Sequence, residues 1–134
     1  MRKYDNFCSN LAVLSQASEQ DLNNEFIIGG IIDKFFVQFE LGGKVIKELL
    51  KYEGSSVSAS GSPRAIIKEA YKTYDFIDEY VWLEMLEKRN DLTHIYDGKK
   101  ARELANLIIE KYVPEFEKLK CCIADIYGGI LGSL

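Results

Sequence analysis

The chain has 134 residues, a length typical of a single domain that can bury a sizeable core. Hydrophobic residues make up 47% of it and charged residues 28%, which is the composition of a globular protein and excludes a disordered chain. The net charge of −4 at pH 7 excludes nonspecific nucleic-acid binding through a broad basic surface, because that mode needs clustered lysines and arginines.

The first two predicted elements are helices. Residues 4–17 form the first, with Phe7, Leu11 and Leu14 on its apolar face. Residues 25–53 form the second, which would be ~40 Å long at the α-helical rise. Its apolar seam follows alternating steps of four and three residues, as in a heptad pattern. The seam consists of Ile28, Ile32, Phe35, Phe39, Gly42, Ile46 and Leu49. Further apolar residues lie off this seam, which indicates contacts with more than one neighbouring helix.

Two glycine pairs, Gly29-Gly30 and Gly42-Gly43, interrupt the long helix. An interior glycine destabilises a helix by ~0.5–1 kcal/mol relative to alanine. We therefore expect these pairs to mark a close approach between helices or a local bend. Neither pair belongs to a glycine-rich phosphate-binding motif.

A connector rich in glycine and serine, residues 54–62, follows the long helix and is flexible by composition. Ser62 and Pro63 predict the N-cap and the first residue of a short helix that ends near Thr73. Together, these two residues are a strong signal for the start of a helix at about Pro63.

Two more helices are predicted to complete the chain. Asp78 is expected to cap one that ends near Leu92, and Asp97-Gly98 opens the last. Pro114 lies within the last helix and should kink it or remove one hydrogen bond. The glycine-rich end, residues 128–134, is expected to fray.

Residues 1–134 are thus predicted to form one all-α domain, a bundle of about five helices. Three cysteines without CxxC spacing, in a chain with one histidine, argue against a disulfide framework and against a zinc site. The N-terminus has no apolar run that predicts a signal peptide, and no stretch of ~18 apolar residues predicts a membrane span. We expect a cytoplasmic protein without a cofactor or bound metal.

The segment from Arg89 to Tyr96 contains the only histidine of the chain, His94. A histidine titrates near neutral pH and can act as general acid or base, and the guanidinium of an arginine fits a phosphate. Asn90 is placed to orient either group, and Tyr96 adds a hydroxyl. Such a set can bind a phosphodiester and deprotonate a ribose 2′-hydroxyl, which is the minimum for a metal-independent ribonuclease.

Geometry limits how Arg89 and His94 can meet. Five residues on one unbroken helix are rotated by ~140° relative to each other. The two side chains converge only if the helix ends between them, or if two copies of the chain each supply part of a site. The alternative is structural: Arg89 reaches a carboxylate along the bundle or faces a partner subunit, and His94 caps or packs a helix end.

The pattern Arg89-Asn90-x-x-x-His94-x-Tyr96 resembles the RX4HXY motif of the HEPN superfamily. Residues 35–41, 62–70 and 82–90 are similar to the nucleotidyltransferase substrate-binding family within that superfamily. The likeness covers roughly residues 4–120. The connector and the glycine-rich end depart from the shared pattern.

The resemblance implies an antiparallel, up-and-down helical bundle that forms a homodimer and has a separately encoded minimal nucleotidyltransferase as its partner. In family members that act as toxins, arginine and histidine from two protomers form a composite RNase site. Carried over to this chain, Arg89 and His94 would be catalytic and Asn90 would support them. Tyr96 would accept AMP from the partner, which silences the toxin.

Two other groups of residues were candidates. Tyr71, Tyr74, Phe76 and Tyr80 form an aromatic cluster that could stack a base, although packing in the core and at a turn is the favoured interpretation. Three acidic residues beside Arg89 predict a solvated face with pairing along the helix rather than an acid–base pair. These residues are Glu84, Glu87 and Asp91. The chain lacks the glycine-serine and Asp-x-Asp pattern of a nucleotidyltransferase, so it is not itself the transferase.

The leading hypothesis is therefore a HEPN-type subunit that pairs with a nucleotidyltransferase and acts as the RNase toxin of a toxin–antitoxin pair. The first alternative is a non-catalytic subunit that binds a substrate or nucleotide for the transferase. The second is a purely structural dimeric adaptor, in which Arg89 and His94 form interface hydrogen bonds.

Overall fold

A computed structural model describes residues 1–59, 61–93 and 97–134 of the chain. These residues form an all-α bundle and contain no strand, as predicted. The α-helices are α1 (Arg2–Leu14), α2 (Glu25–Tyr52), α3 (Pro63–Thr73), α4 (Glu79–Asn90), α5 (Gly98–Leu107) and α6 (Val113–Tyr127). Because a π turn, Ile108–Tyr112, joins α5 to α6, the described residues form five helical rods. None of these helices is both long and apolar enough to cross a membrane.

The core is an aromatic cluster in the middle of the bundle. Phe35 of α2 stacks on Tyr112 with ring centroids 5.2 Å apart. Trp82 of α4 meets the ring of Phe116 of α6 edge-on at 5.6 Å, and Phe7 of α1 packs edge-on against the same ring. Aromatic pairs in these geometries add stabilisation beyond the area they bury. The cluster therefore holds four helical rods together.

The apolar seam predicted for the long helix is confirmed, since all seven of its residues are buried. Gly42 lies where α2 meets two other helices. A Cβ atom at this position would lie 3.1 Å from the Trp82 ring and 3.3 Å from the Phe7 ring. Nothing lies within 4 Å of a Cβ built on Gly29, Gly30 or Gly43. The predicted close approach therefore holds at Gly42 alone.

One polar group is fully buried where α1 crosses α2. The side-chain amide of Gln38 donates to the carbonyl oxygen of Phe7 at 3.0 Å and accepts from the amide of Asn10 at 2.7 Å. A buried amide left without such partners would destabilise the fold. This network fixes how α1 lies along α2.

A Schellman motif ends the long helix. The N–H of Ser55 donates to the carbonyl oxygen of Leu50, and the N–H of Gly54 donates to that of Lys51. Gly54 adopts φ +86°, a left-handed conformation that suits glycine. A 3₁₀ turn, Ser56–Ala59, lies in the connector beyond it.

The predicted caps of three helices are confirmed. The side chain of Ser62 accepts the N–H of Ala65, and Pro63 follows it at the start of α3. The carboxylates of Asp78 and Asp97 accept backbone N–H groups at the starts of α4 and α5. Helix α3 has the predicted bounds, whereas α1 ends earlier than predicted and passes into a 3₁₀ turn, Ser15–Glu19.

The π turn explains how the chain tolerates Pro114. A proline lacks the N–H that an α-helix needs, and its ring collides with the carbonyl group four residues earlier, here that of Glu110. The wider π turn contains Glu110, so α6 can begin beside the proline without a break. Beyond the turn, Tyr127 is buried and Ile126 is 56% exposed. Apolar residues follow steps of three and four along this part of the sequence (Phe116, Leu119, Ile123), and this spacing predicts Ile126 on the buried face, which is wrong because Tyr127 is buried in its place.

Candidate functional site

Helix α4 positions Arg89 and Asn90 at its C-terminal end. The Asp78 cap fixes the start of this helix, and four apolar side chains in its first eight residues anchor it in the core. They are Val81, Trp82, Met85 and Leu86. The helix ends at Asn90, because Asp91 adopts an extended backbone. The helix therefore does end between Arg89 and His94, one of the two conditions under which their side chains can converge.

Arg89 is half-buried and forms a salt bridge with Glu40 of α2. Its guanidinium Nη2 contacts the Glu40 Oε1 atom, and the two side chains are 34% and 46% exposed. This contact confirms that the arginine reaches a carboxylate across the bundle. Because the pair remains open to water, the guanidinium can exchange this carboxylate for a phosphate oxygen at small cost.

A groove of about 720 Å³ runs along the outer face of α4 and includes Asn90. Three acidic side chains and Arg64 of α3 line it together with apolar residues. Its lining is Arg64, Tyr80, Leu83, Glu84, Leu86, Glu87, Asn90 and Asp91. The surface beside Asn90 therefore combines one cation with several carboxylates, which disfavours a polyanion unless basic groups from another chain join it.

Glu84 differs from the other two acids in this groove. Its carboxylate accepts the Tyr112 hydroxyl at 2.6 Å and the Lys111 ammonium at 2.7 Å, and both donors belong to the π turn. Desolvation raises the pKa of Glu84, but these two hydrogen bonds outweigh that effect and lower the pKa below its ordinary value. The prediction of a solvated acidic face is therefore wrong for Glu84, because the π turn supplies its partners.

The hydroxyl of Tyr112 stays protonated in this arrangement. Burial raises the pKa of Tyr112, and its hydrogen bond to the Glu84 carboxylate raises it further. Tyr112 thus ties α4 to the last rod of the bundle at a point five residues before Arg89. It supports the end of α4 and takes no proton from a ligand.

His94 and Tyr96 lie outside the described residues, so only the flanks of this segment are placed. On one side, the Asp91 side chain accepts the N–H and the hydroxyl of Thr93, each at 2.9 Å. On the other side, Asp97 caps α5. The assignments of His94, Tyr96 and Asn90 therefore stay predictions.

The aromatic cluster before α4 divides into two parts. Tyr74 is buried, stacks on Phe76 and forms a 2.8 Å hydrogen bond with the hydroxyl of Tyr127. Tyr71 and Tyr80 are 53% and 89% exposed. Core packing was thus the right interpretation for Tyr74.

Sequence reasoning gave no role to Glu40. It lies within residues 35–41, one of the stretches that carry the family resemblance. It comes directly after Phe39, which is a residue of the buried seam. The available signal was an acidic residue beside an apolar seam. Only the packing of α2 against α4 shows that this carboxylate holds Arg89.

A family model described as "nucleotidyltransferase substrate binding protein like" matches residues 2–124 of the chain. A search of curated proteins finds no match.

Proposed function

The chain belongs to the nucleotidyltransferase substrate binding protein like family, and on this premise we propose that it pairs with a separately encoded nucleotidyltransferase. The observation that carries this proposal is the extent of the match, which includes α1 to α5, most of α6 and both described motif residues, Arg89 and Asn90. We further propose a HEPN-type homodimer located in the cytoplasm. Two exposed apolar side chains would suit a second copy: Tyr80 at the start of α4 is 89% exposed, and Leu92 just beyond its end is 57% exposed.

The finer proposal is a metal-independent RNase site that two protomers share. Arg89 of one protomer would bind the scissile phosphate, and His94 of the other would take the proton from the ribose 2′-hydroxyl. The 2′-oxygen would attack phosphorus as the bond to the 5′-oxygen breaks. A proton returned to the 5′-oxygen completes the step, and the products are a 2′,3′-cyclic phosphate and a 5′-hydroxyl. Asn90 would orient the guanidinium or the imidazole.

Silencing by the partner would act on Tyr96. The tyrosine oxygen would attack the α-phosphorus of ATP on the nucleotidyltransferase, forming a tyrosyl–AMP ester and releasing pyrophosphate. The added phosphate beside the motif would repel an RNA phosphate.

One observation favours a second candidate function, a non-catalytic subunit that presents a substrate or nucleotide to the transferase. In the folded chain, Glu40 already holds the guanidinium of Arg89, and the groove beside Asn90 carries several carboxylates. A protein of this second kind would form the same complex without cleaving RNA.

Pairing is tested by co-purification. The tagged chain and the nucleotidyltransferase encoded beside it are co-expressed and passed over a size-exclusion column. We expect one peak that contains both proteins. Separate elution at micromolar concentration, or the absence of a nucleotidyltransferase gene from the neighbourhood, would count against pairing.

Growth of cells that express the chain alone separates the two candidate functions. The RNase proposal predicts growth arrest that the partner relieves, and Arg89→Ala and His94→Ala should each remove it. Arg2→Ala, an exposed arginine at the start of α1, is the matched control and should still arrest growth. If cells that express the wild-type chain grow as well as cells that express either variant, the RNase proposal is wrong and the non-catalytic subunit is the remaining candidate.

Mass spectrometry after co-expression tests the modification. We expect a mass increase of one AMP on wild type and on Tyr80→Phe, a control at an exposed tyrosine. Tyr96→Phe should show none. An unmodified wild-type chain in the presence of active transferase would contradict this part of the proposal.

A further inference from the structure

A cavity of about 200 Å³ lies between α2, α3 and Trp82 of α4; it shares no lining residue with the groove of Asn90, although Glu40 belongs to its lining. Its inner wall is apolar and partly aromatic, built from Phe39, Ile46, Ile66, Ile67 and Trp82. A cavity of ~150 Å³ lined by such residues can hold one benzene ring. This cavity therefore has room for a single aromatic ring with one small substituent.

The mouth of the cavity carries positive charge. Lys44 and Lys47 line it from neighbouring turns of α2, and within the described part of the chain neither forms a salt bridge. The carboxylate of Glu40 also lines the cavity, but Arg89 already neutralises it. Pro63 places the start of α3, the positive end of that helix dipole, at the same cavity.

Trp82 provides a second observation in the wall of the same cavity. Its indole N–H is buried and has no hydrogen-bond acceptor among the described residues. Almost all buried donors in folded proteins are paired, and an unpaired one is uncommon where a side chain serves packing alone. The cavity thus has an apolar wall next to a residue with an unsatisfied buried donor, and its mouth carries two ammonium groups without a salt bridge among the described residues.

We propose that this cavity binds a small aromatic anion: one ring that lies on the apolar wall of the cavity, with a single carboxylate or phosphate that Lys44 and Lys47 hold at the mouth. The ring supplies the apolar contact and the anion supplies the charge. This site goes beyond the proposed function, because it requires neither RNA cleavage nor a partner protein.

The chain supplies its own reporter, because Trp82 is its only tryptophan and lines the cavity. Phenyl phosphate and benzoate are titrated separately into the purified full chain, with selective excitation of the indole. We expect a saturable change in fluorescence with at least one of them, and the tighter of the two identifies the anionic group. Benzyl alcohol and inorganic phosphate should each bind at least ~10-fold more weakly, a difference of about 1.4 kcal/mol.

Two variants make the test specific. Lys44→Gln with Lys47→Gln should weaken binding at least ~10-fold, whereas Lys51→Gln with Lys72→Gln removes the same charge elsewhere and should bind as wild type. Gly43→Leu should abolish binding, because a Cβ at Gly43 meets nothing within 4 Å and the longer side chain would fill the cavity. Gly30→Leu, on the same helix and equally free of contacts, is its control.

Thermal unfolding of each variant shows whether it folds. Three results would overturn the proposal: no saturable change with either aromatic anion at millimolar concentration, binding of benzyl alcohol as tight as that of the anions, or wild-type affinity in a folded Gly43→Leu chain.

Discussion

The two halves of α4 contrast sharply. In the first half, the side chains of Val81 and Trp82 are buried, and Trp82 packs against Phe39 of α2 and Phe116 of α6. In the last turn, Asn90 is exposed, and Arg89 is held to the bundle by one salt bridge with Glu40. Burial makes the first half a source of stability, whereas an open ion pair contributes little. The last turn can therefore carry chemistry without a role in holding the fold.

The largest expected effect is in the first half. Trp82→Ala should lower the free energy of unfolding by ~3–5 kcal/mol, because it removes the largest fully buried side chain from the aromatic cluster. Urea unfolding followed by circular dichroism measures it. Arg89→Ala is the comparison variant, with an expected loss below ~1 kcal/mol. An equal loss of unfolding free energy in the two variants would contradict the difference between the two halves of α4.

The second prediction concerns the contact between α2 and α4. Gly42→Ala should destabilise the fold by ~1–3 kcal/mol, because the new methyl group crowds the Trp82 and Phe7 rings. Gly43→Ala, one residue away, meets nothing within 4 Å and should stabilise by ~0.5–1 kcal/mol through helix propensity. Thermal unfolding of the two variants shows whether each substitution raises or lowers stability. A change in the same direction for both would contradict the close approach at Gly42.

The third prediction tests the support that the π turn gives to α4. Because the folded state lowers the pKa of Glu84, its carboxylate adds stability above its ordinary pKa of 4.5 and loses it as the pH falls through the folded value. Glu84→Gln should therefore lower the free energy of unfolding most above pH 4.5 and only slightly in stronger acid. Urea unfolding across this pH range measures it. Glu87→Gln, an exposed acid on the same helix, is the control, and a pH-independent difference for Glu84→Gln would contradict the assignment.

The smallest expected effect is that of the ion pair itself. Glu40→Gln should lower the free energy of unfolding by about 0.5–1 kcal/mol or less, because both partners are partly exposed. Glu48→Gln removes an equally exposed salt bridge, that of Lys3 at 2.5 Å, and is the matched control. If Glu40→Gln, but not Glu48→Gln, lowers the free energy of unfolding by more than ~2 kcal/mol, the main role of the Arg89–Glu40 pair is to stabilise the fold.

Local signals in the sequence predicted most of the fold. The seam of α2 and the caps at Ser62, Asp78 and Asp97 follow from periodicity and from residues that bond to backbone groups a few positions away. The end of α4 before His94 was predicted in the same way.

Features that depend on distant parts of the chain could not be predicted. The Arg89–Glu40 pair and the partners of Glu84 join helices that are far apart in sequence. The buried position of Tyr127 includes hydrogen bonds to Tyr74 and Glu53, which are far away in the sequence. The residue types of the candidate site can therefore be predicted from the sequence. The carboxylate that holds Arg89, that of Glu40, cannot.

Cleavage of a single-stranded RNA by the purified protein, in the presence of a metal chelator, tests most directly whether the last turn of α4 serves chemistry. Wild type and Arg89→Ala are compared at the same temperature, well below the unfolding transition of both. We expect RNA ends with a 2′,3′-cyclic phosphate for the wild-type protein. We expect a cleavage rate at least ~100-fold lower for Arg89→Ala, at nearly unchanged stability. Equal rates for the two folded proteins, or a variant that fails to fold, would contradict this expectation.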